Sequence, residues 1–287
     1  MDITFIMIVM NGMPFVKHSL GSIYDFSDEI IIVEGPVRNL DSEYYDKSGF
    51  STDGTTEFLN DFKDPYSKIK LFRGYFKDKV DMQNLAIKNA SFDWIWLIDS
   101  DEVYKAKDLI AIKEKICQFP SIKRVDFIPI NFWKGFSYIF DCYKFHEPQY
   151  HYRRVFKKEK NDFFITHRPP LLKSHEDLFF KDRKNLISGD HLFKEGITFY
   201  HYSYVERTQV KQKIDLYSKY GWQNNWDIDL SDWFTSFYLK WNPSNKDQLE
   251  NKYGPWTGDK MSYTSKFNGQ HPRVIQSDTN LLNSYEY

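Results

Sequence analysis

Short apolar runs and amphipathic segments alternate along the first half of the chain. Four runs of consecutive apolar residues, at 3–10, 29–33, 69–72 and 94–98, are typical of strands covered on both faces of a sheet. Between and after them, apolar residues recur at helical spacing, which predicts helices over 14–24, 81–90 and 107–117 and one that ends near 62. Because strands that alternate with helices pair in parallel, the pattern predicts a Rossmann-like α/β fold with a mostly parallel sheet flanked by helices.

The second half of the chain has a less regular pattern. Aromatic-rich runs at 124–132, 149–156 and 197–204 predict strands, and apolar residues at helical spacing predict a helix over 205–220. We expect one more helix at about 230–241 and little regular structure after 250. The pattern therefore predicts a main domain over 1–220, with halves 1–105 and 106–220, and a helical or irregular extension over 221–287 packed on it.

Composition indicates a folded protein without an affinity for polyanions. Hydrophobic residues make up 41% of the chain and aromatic residues 18%, which excludes a disordered protein. The formal charge is −1, so no overall field attracts nucleic acid, and we expect no nucleic-acid partner. Arg153 and Arg154, followed by Lys157 and Lys158, form a local basic cluster that we interpret as the solvated end of a strand.

The sequence predicts a soluble, cytoplasmic protein. No stretch reaches the roughly 18 apolar residues that a transmembrane segment needs. The apolar run at 3–10 lacks the basic region and cleavage site of a signal peptide, so we interpret it as a buried strand. The two cysteines, Cys117 and Cys142, are too few for a disulfide framework and fit a reducing compartment.

Two carboxylates follow the fourth predicted strand. If strand geometry persists, Asp99 and Asp101 point to the same face, because side chains two residues apart share a face of a strand. Carboxylates so close together repel each other unless a cation lies between them. Mn²⁺ and Mg²⁺ bind through one or two carboxylates together with substrate phosphates. The pair therefore predicts a metal site for nucleotide-diphosphate chemistry, although acids after a strand also occur as helix caps.

Several segments in order resemble the family 2 glycosyltransferases with a GT-A fold. The matching segments are Ile8-Val9-Met10-Asn11-Gly12, Ile31-Ile32-Val33-Glu34-Gly35, Ser51-Thr52-Asp53-Gly54-Thr55, Lys79 with Gln83-Asn84, and Trp94-Ile95-Trp96-Leu97-Ile98-Asp99-Ser100-Asp101-Glu102. The resemblance covers residues 1 to about 105 and is loose beyond them. It implies that 1–105 is the nucleotide-binding half and 106–220 the acceptor-side half.

The resemblance implies transfer of a sugar from a UDP- or GDP-sugar to a hydroxyl of a glycan, a lipid-linked sugar or a protein, with inversion and with Mn²⁺ or Mg²⁺ as cofactor. The donor would be bound by Asn11, Glu34, Asp53, Lys79, Asn84 and Asp99. The metal would be bound by Asp99 and Asp101, and His201 would complete the site from a late strand.

The chain departs from the family pattern at two places. The Asp-Gly-Thr segment usually follows the second strand directly, whereas here residues 36–50 intervene, which puts the role of Glu34 in doubt. Gln83 stands where the family commonly has Arg, which removes one positive charge from the expected phosphate site.

An inverting transferase needs a carboxylate that deprotonates the acceptor hydroxyl. Asp177 is the first candidate, with its neighbour Glu176 and, as a rival, Glu147. The loop His167-Arg168-Pro169-Pro170 either binds an acceptor or a phosphate or is simply a turn. Aromatic side chains suit sugar stacking or core packing, and the tryptophans in question are Trp133, Trp222, Trp226 and Trp233.

Purely structural roles remain open for many of these residues. Asp53 suits a helix cap, Asn84 an exposed helical face, Glu34 a turn and His201 a hydrogen-bonded core position. Two other functions also remain open. One is a non-catalytic carbohydrate-binding or interaction module that kept the fold. The other is a sugar nucleotidyltransferase, which the absence of a Gly-rich basic loop after the first strand disfavours.

Overall fold

The computed structural model describes residues 1–140, 151–176, 185–219, 229–255 and 263–285. The chain forms two units. The first comprises 1–38, 45–129 and 151–199, and the second comprises 39–44, 130–150 and 200–287. The domain boundary expected near residue 220 falls beside residues 220–228, which lie outside the described residues.

Among the described residues, the first unit contains ten complete short strands and the first residue of another. They are β1 Ile3–Val9, β2 Glu29–Glu34, β3 Ile69–Arg73, β4 Trp94–Asp99, β5 Glu102–Tyr104, β6 Arg124–Phe127, β9 Tyr152–Lys157, β10 Phe164–His167, β11 Pro170–Leu172, β12 Leu186–Ile187 and the first residue of β13, Phe199–Tyr204. The second unit adds β7 Ile130–Trp133, β8 Tyr138–Phe140, the rest of β13, and β14 Thr264–Lys266.

Seven strands of the first unit form one sheet in the order β12-β6-β9-β4-β1-β2-β3. Strands β1 to β4 are parallel to their neighbours among themselves. Strand β9 runs antiparallel to both β4 and β6 and is inserted between them. The expected mixed α/β fold with a large, mostly parallel sheet is therefore confirmed. A separate antiparallel pair is formed by β10 and β11.

Helices cover this sheet, and all but the short one at Gly189–Lys194 lie where the sequence pattern predicted them. They are α1 Val16–Ile23, α2 Thr55–Asp61, α3 Lys79–Asn89, α4 Ala106–Gln118 and α5 Gly189–Lys194, with 3₁₀ turns at Tyr24–Phe26 and Lys173–His175. The core is formed by apolar side chains of both layers, such as Phe5, Trp96 and Ile112, which are fully buried. The prediction succeeded here because strands buried on both faces leave continuous apolar runs in the sequence.

The carboxyl ends of β1, β2, β3 and β4 meet at one edge of the sheet. In the strand register, Val9 pairs with Glu34, Glu34 with Arg73, and Ile8 with Asp99. Ligands of open parallel sheets bind at this edge. The loops that follow these strands are therefore where the site is to be sought.

The second unit departs more from expectation. The predicted strand over 124–132 is two strands, β6 and β7, which belong to different units. Strand β7 lies between β8 and β13 in the order β14-β8-β7-β13. Helices of this unit are α6 Arg207–Lys219, α7 Leu230–Asp232 with a π turn at Trp233–Tyr238, α8 Lys246–Tyr253, α9 Arg273–Gln276 and α10 Thr279–Asn283, with a 3₁₀ turn at Ser42–Tyr44. The expectation of little regular structure after 250 is therefore wrong.

Aromatic packing explains this unit. Trp133 and Trp233 are both fully buried, with ring centroids 5.9 Å apart, and Phe237 and Trp241 pack on them. Neither tryptophan presents a face to a sugar, so core packing is the correct interpretation for both. Trp222 and Trp226 lie outside the described residues. No helix within the described ranges is long and apolar enough to cross a membrane.

Candidate active site at the carboxyl ends of the parallel strands

Asp99 is the last residue of β4, and the chain turns immediately after it. Ser100 and Asp101 form the turn, and Glu102 begins β5. Strand geometry therefore does not persist to Asp101, and the argument that residues two apart share a strand face does not apply. Both aspartates nevertheless lie near the same two groups, because each acts on the charge of Lys79 and of Glu102.

Arg154 holds two of these acids from the antiparallel strand β9. Its Nη2 donates to Asp99 Oδ2 at 2.8 Å, and its Nε lies 3.0 Å from both carboxylate oxygens of Glu102. Nη2 also makes a close contact with Glu102 Oε1. The interpretation of Arg154 as the solvated end of a strand is therefore wrong, because this side chain is only 7% exposed and that of Glu102 is fully buried.

Aromatic rings complete the surroundings of Arg154. Its guanidinium carbon lies 5.2 Å from the ring centroid of Tyr152 and 5.7 Å from that of Phe199. Burial alone would lower the pKa of Arg154, but the charges of Glu102 and Asp99 hold it above its usual range. Arg154 is therefore a permanent positive charge at this edge. The alternation of Tyr152, Arg154 and Phe156 along a strand between two others was the available sequence signal for its burial.

Lys79, His167 and Arg168 bring further nitrogen groups to the aspartates. Burial lowers the pKa of Lys79, and nearby Arg168 lowers it further, while Asp99 and Asp101 oppose the shift. Burial, Lys79 and Arg168 hold the pKa of His167 well below its usual range, so this imidazole is neutral. Its Nδ1 is buried and has no hydrogen-bond partner in the described structure.

Asn84 ties the two elements that carry these groups. It lies on α3, which begins at Lys79, and its amide accepts from the Phe164 backbone N at 2.7 Å and donates to the Phe164 carbonyl at 3.0 Å. Phe164 begins β10, which ends at His167. The Asn84 side chain therefore fixes α3 against β10 and acts on the site through the positions of Lys79 and His167.

The acid that ends β2 is in a different state. Glu34 is fully buried, with its Oε2 2.7 Å from Arg73 Nε and its Oε1 3.4 Å from the Ser51 backbone N. Its Oε1 also accepts from the Thr56 hydroxyl in a close contact. Glu34 therefore fastens the segment at 51–56 to the edge of the sheet, despite the intervening loop.

Asn11 and Asp53 brace the same segment from the other side. Asn11 has a φ of 53°, accepts from the Thr52 backbone N at 2.9 Å and donates its own N–H to Ser51 Oγ at 3.1 Å. Asp53 accepts from the Met13 N–H at 2.8 Å and from the Thr55 N–H at 3.0 Å. Thr55 is the first residue of α2 and Gly54 is its N-cap, so Asp53 binds the first N–H of the helix from one residue before the cap and also joins two loops.

The loop that departs from the family pattern forms a cavity of about 410 Å³ with the loop after β3. Its lining residues are Pro36, Val37, Arg38, Tyr45, Tyr75, Phe76 and Lys77. The rings of Tyr45 and Tyr75 meet edge to face at 5.9 Å between centroids. The cavity has the size of a small-molecule site and combines aromatic faces with two cations.

The remaining predicted residues are Glu176, Asp177, Glu147 and His201. Glu176 is exposed and ion-paired with Lys173, and Asp177 and Glu147 lie outside the described residues. His201 is buried on β13, where its Nδ1 lies 2.8 Å from Asn131 Oδ1. In the second unit, Asp41, Glu43 and Asp215 also cluster. Two acids of that cluster are paired with lysines, since Asp215 lies 2.6 Å from Lys211 Nζ and Asp41 contacts Lys219.

The chemistry of Asp99 and Asp101 fits a hard divalent ion. Both are oxygen donors, and the Asp99 side chain keeps 33% of its surface exposed. Such carboxylates suit Mg²⁺ or Mn²⁺, which also take oxygen ligands from phosphates. Asp99 Oδ2 accepts from Arg154, so an ion bound at Asp99 would share this carboxylate with the guanidinium.

Comparisons with known proteins agree with this site. Residues 48–176, which include the Asp99 turn, β9 and His167, match the model of the family described as Glycosyl transferase family 2. No curated protein matches the chain significantly. The segment 48–176 thus belongs to glycosyl transferase family 2, and the resemblance drawn from the motifs is confirmed. The chain is therefore a glycosyltransferase.

Solved structures of two other proteins are similar to this chain at low identity. S. aureus TarS, residues 1–349 in complex with UDP-GlcNAc, is 13% identical with a TM-score of 0.37, and the match covers 88% of this chain and 79% of that chain. A longer TarS structure is 14% identical with a TM-score of 0.40 over 87% of this chain and 45% of that chain. The mannosyltransferase PcManGT from Pyrobaculum calidifontis, in complex with GDP-Man and Mn²⁺, is 14% identical with a TM-score of 0.37 over 76% and 64%.

Proposed function

We propose that this chain transfers a sugar from a UDP- or GDP-sugar to an acceptor hydroxyl, in a reaction that inverts the anomeric carbon and depends on Mn²⁺ or Mg²⁺. The observation that carries the proposal is the turn after β4, because Asp99 and Asp101 lie there at the ligand-binding edge of a parallel sheet. The family 2 match over this turn supports the same reaction class.

In this proposal Asp99 and Asp101 bind the ion. When bound there, a divalent ion neutralises charge on the diphosphate and makes it a better leaving group. Lys79 interacts electrostatically with both aspartates and with Arg168, so the positive charges of Lys79 and Arg168 also favour a diphosphate at this position. Asn84 contributes by holding Lys79 and His167 in register. His201 stays a predicted third ligand, and its hydrogen bond to Asn131 equally suits a core histidine.

The nucleoside is proposed to lie towards β2 and β3. Asn11, Glu34 and Asp53 shape this side by fixing the loops around the ends of β1 and β2. The 410 Å³ cavity beside them presents aromatic faces of Tyr45, Tyr75 and Phe76, on which a flat base stacks well. Arg38 and Lys77 at the same cavity suit a ligand that carries negative charge.

The base that deprotonates the acceptor stays a prediction among Asp177, Glu176 and Glu147. Glu176 is paired with exposed Lys173, which lowers its value as a base unless that pair opens. His167 is a poor alternative, because burial and two neighbouring cations hold its pKa far below the range of an efficient base.

Thermal unfolding with nucleotides tests the proposal directly. A ligand that binds only the folded protein raises the melting temperature by mass action. We expect UDP or GDP together with Mn²⁺ to raise it by about 5 °C, and either component alone by much less. Hydrolysis of a UDP- or GDP-sugar should then require Mn²⁺ or Mg²⁺.

The same experiment separates the catalytic proposal from a binding module. A module that kept the fold without the reaction would show the thermal shift but no donor hydrolysis or transfer. A protein that shows neither a shift nor turnover with UDP- and GDP-sugars would contradict the proposed donor class.

A further inference from the structure

Arg154 has no role in the reaction as proposed so far, yet it is the residue most closely bound to the acidic turn. Its Nη2 donates to Asp99 Oδ2 at 2.8 Å, and its Nε lies 3.0 Å from both oxygens of Glu102. The side chain of Glu102 is fully buried, and Glu102 is the residue directly after Asp101 in the sequence. One guanidinium therefore joins a proposed metal ligand to an internal carboxylate.

The charges around this turn are of both signs. The carboxylates of Asp99, Asp101 and Glu102 act together with the cations Arg154, Lys79 and Arg168. Arg154 already donates to the Asp99 carboxylate at 2.8 Å and so compensates part of its negative charge. A carboxylate compensated in this way attracts a free divalent cation more weakly, whereas a nucleotide diphosphate adds the negative charge that the ion needs.

We propose that Arg154 is a resident cation that weakens the binding of a free divalent ion at Asp99 and so makes ion binding depend on the nucleotide diphosphate. The inference rests on the proposed function. Its physical basis is competition: guanidinium and metal ion both seek the negative charge of the Asp99 carboxylate, and an arginine cannot give up its charge.

A matched pair of substitutions tests this role. Arg154→Met alone leaves Glu102 as a buried, unpaired acid and is expected to destabilise the fold. The double variant Glu102→Gln with Arg154→Met removes both partners of the internal pair together. It isolates the contact between Arg154 and Asp99. Glu102→Gln with Arg154→Gln is the second version, in which two amides replace the pair and keep a hydrogen bond.

Mn²⁺ affinity, measured by electron paramagnetic resonance of the free ion with and without UDP or GDP, is the readout. In the wild type we expect the nucleotide to tighten Mn²⁺ binding by at least about 30-fold. In the double variant, Mn²⁺ alone should bind about tenfold tighter than to the wild type, and the effect of the nucleotide should shrink. A residue with a merely structural role would change Mn²⁺ affinity in the opposite direction, because loosening a site weakens it.

Two results would overturn the inference. One is a folded double variant, in either version, that binds Mn²⁺ alone no tighter than the wild type does. The other is a wild type whose Mn²⁺ affinity changes less than about threefold with nucleotide. A wild type that binds no Mn²⁺ even with UDP or GDP would contradict the proposed metal dependence itself, and this inference with it. The complete absence of Mn²⁺ binding distinguishes this outcome from the two results above.

Discussion

Two acidic residues, each the last residue of a strand, lie at the same edge of the sheet and have different surroundings. Glu34 at the end of β2 is fully buried, and its hydrogen bonds to Arg73, Ser51 and Thr56 hold a loop in place. Asp99 at the end of β4 keeps a third of its side-chain surface exposed to solvent, and positively charged side chains surround it and Asp101. A carboxylate at a strand end can thus have a structural role or belong to a binding site, and the groups that contact it determine which role it has.

The largest expected effect is at the β4 end. Asp101→Asn keeps the shape of the side chain but removes the charge that the ion needs, so we expect sugar transfer to fall by about a thousandfold. The melting temperature without ligand should change little, because Asp101 lies in a half-buried turn. Steady-state transfer assays and thermal unfolding measure the two quantities.

Asp61→Asn is the matched control for that change. Asp61 is an exposed acid at the end of α2, so its removal should leave both transfer and stability unchanged. Equal losses of activity in the two variants would mean that the charge of Asp101 has no special role.

The β2 end should show the opposite behaviour. Glu34→Gln keeps an acceptor for Thr56 and Ser51 but leaves Arg73 without its charged partner, and we expect the free energy of unfolding to fall by about 2 kcal/mol. Urea unfolding measures this loss. The metal-dependent part of the thermal shift should persist, and its disappearance would place Glu34 in the metal site instead.

A smaller effect is expected at the cavity. The Tyr75 side chain is mostly exposed, so Tyr75→Ala should leave stability nearly unchanged while it removes one stacking face for the base. We expect the Kd of UDP or GDP to rise roughly fivefold, by isothermal titration calorimetry. Tyr66→Ala, which removes another exposed tyrosine outside the cavity lining, is the control and should leave that Kd unchanged.

A third acid offers a comparison within the fold alone. Asp108 in the first turn of α4 is buried, and its Oδ2 has no hydrogen-bond partner in the described structure. Burial raises its pKa to about 6, although Lys107, Thr198 and Lys105 oppose the shift. The folded state therefore holds this proton more tightly than the unfolded chain does, so stability should fall as pH rises from about 4 to about 6.

Asp108→Asn removes that pH dependence. The variant should be more stable than the wild type at pH 7.5 by about 1 kcal/mol and no more stable at pH 4. Urea unfolding at the two pH values measures the difference. A wild type whose stability is constant between pH 4 and pH 6 would show that Asp108 is not held protonated by burial.

Much of the first unit could be predicted because its signals are local. Strands β1 to β4 are apolar runs, and the polar residue that ends each run reaches the same sheet edge by the rules of parallel pairing. Residues 36–50 could be recognised from the sequence as an insertion. The sequence did not show that Glu34 keeps its contact with the segment that follows this insertion.

The partners of the acids could not be predicted, because they are distant in sequence. Arg154 contacts Glu102, which lies 52 residues away in the sequence. Its position beside Arg153 and near Lys157 and Lys158 favoured the interpretation as a solvated strand end. The prediction for the aromatic second unit failed for a related reason: apart from α6 its helices are short, and much of its core is formed by single rings such as Trp233 and Tyr253 rather than by periodic faces. Long-range packing, which leaves no period in the sequence, determines such regions.

Anomalous diffraction at the manganese edge, from crystals grown with Mn²⁺ and UDP or GDP, tests the central claim most directly. The account predicts one strong peak within coordination distance of carboxylate oxygens of Asp99 or Asp101, in contact with the diphosphate. A nucleotide bound at this edge with no peak at the β4 turn, or a peak confined to another group of acids, would contradict it.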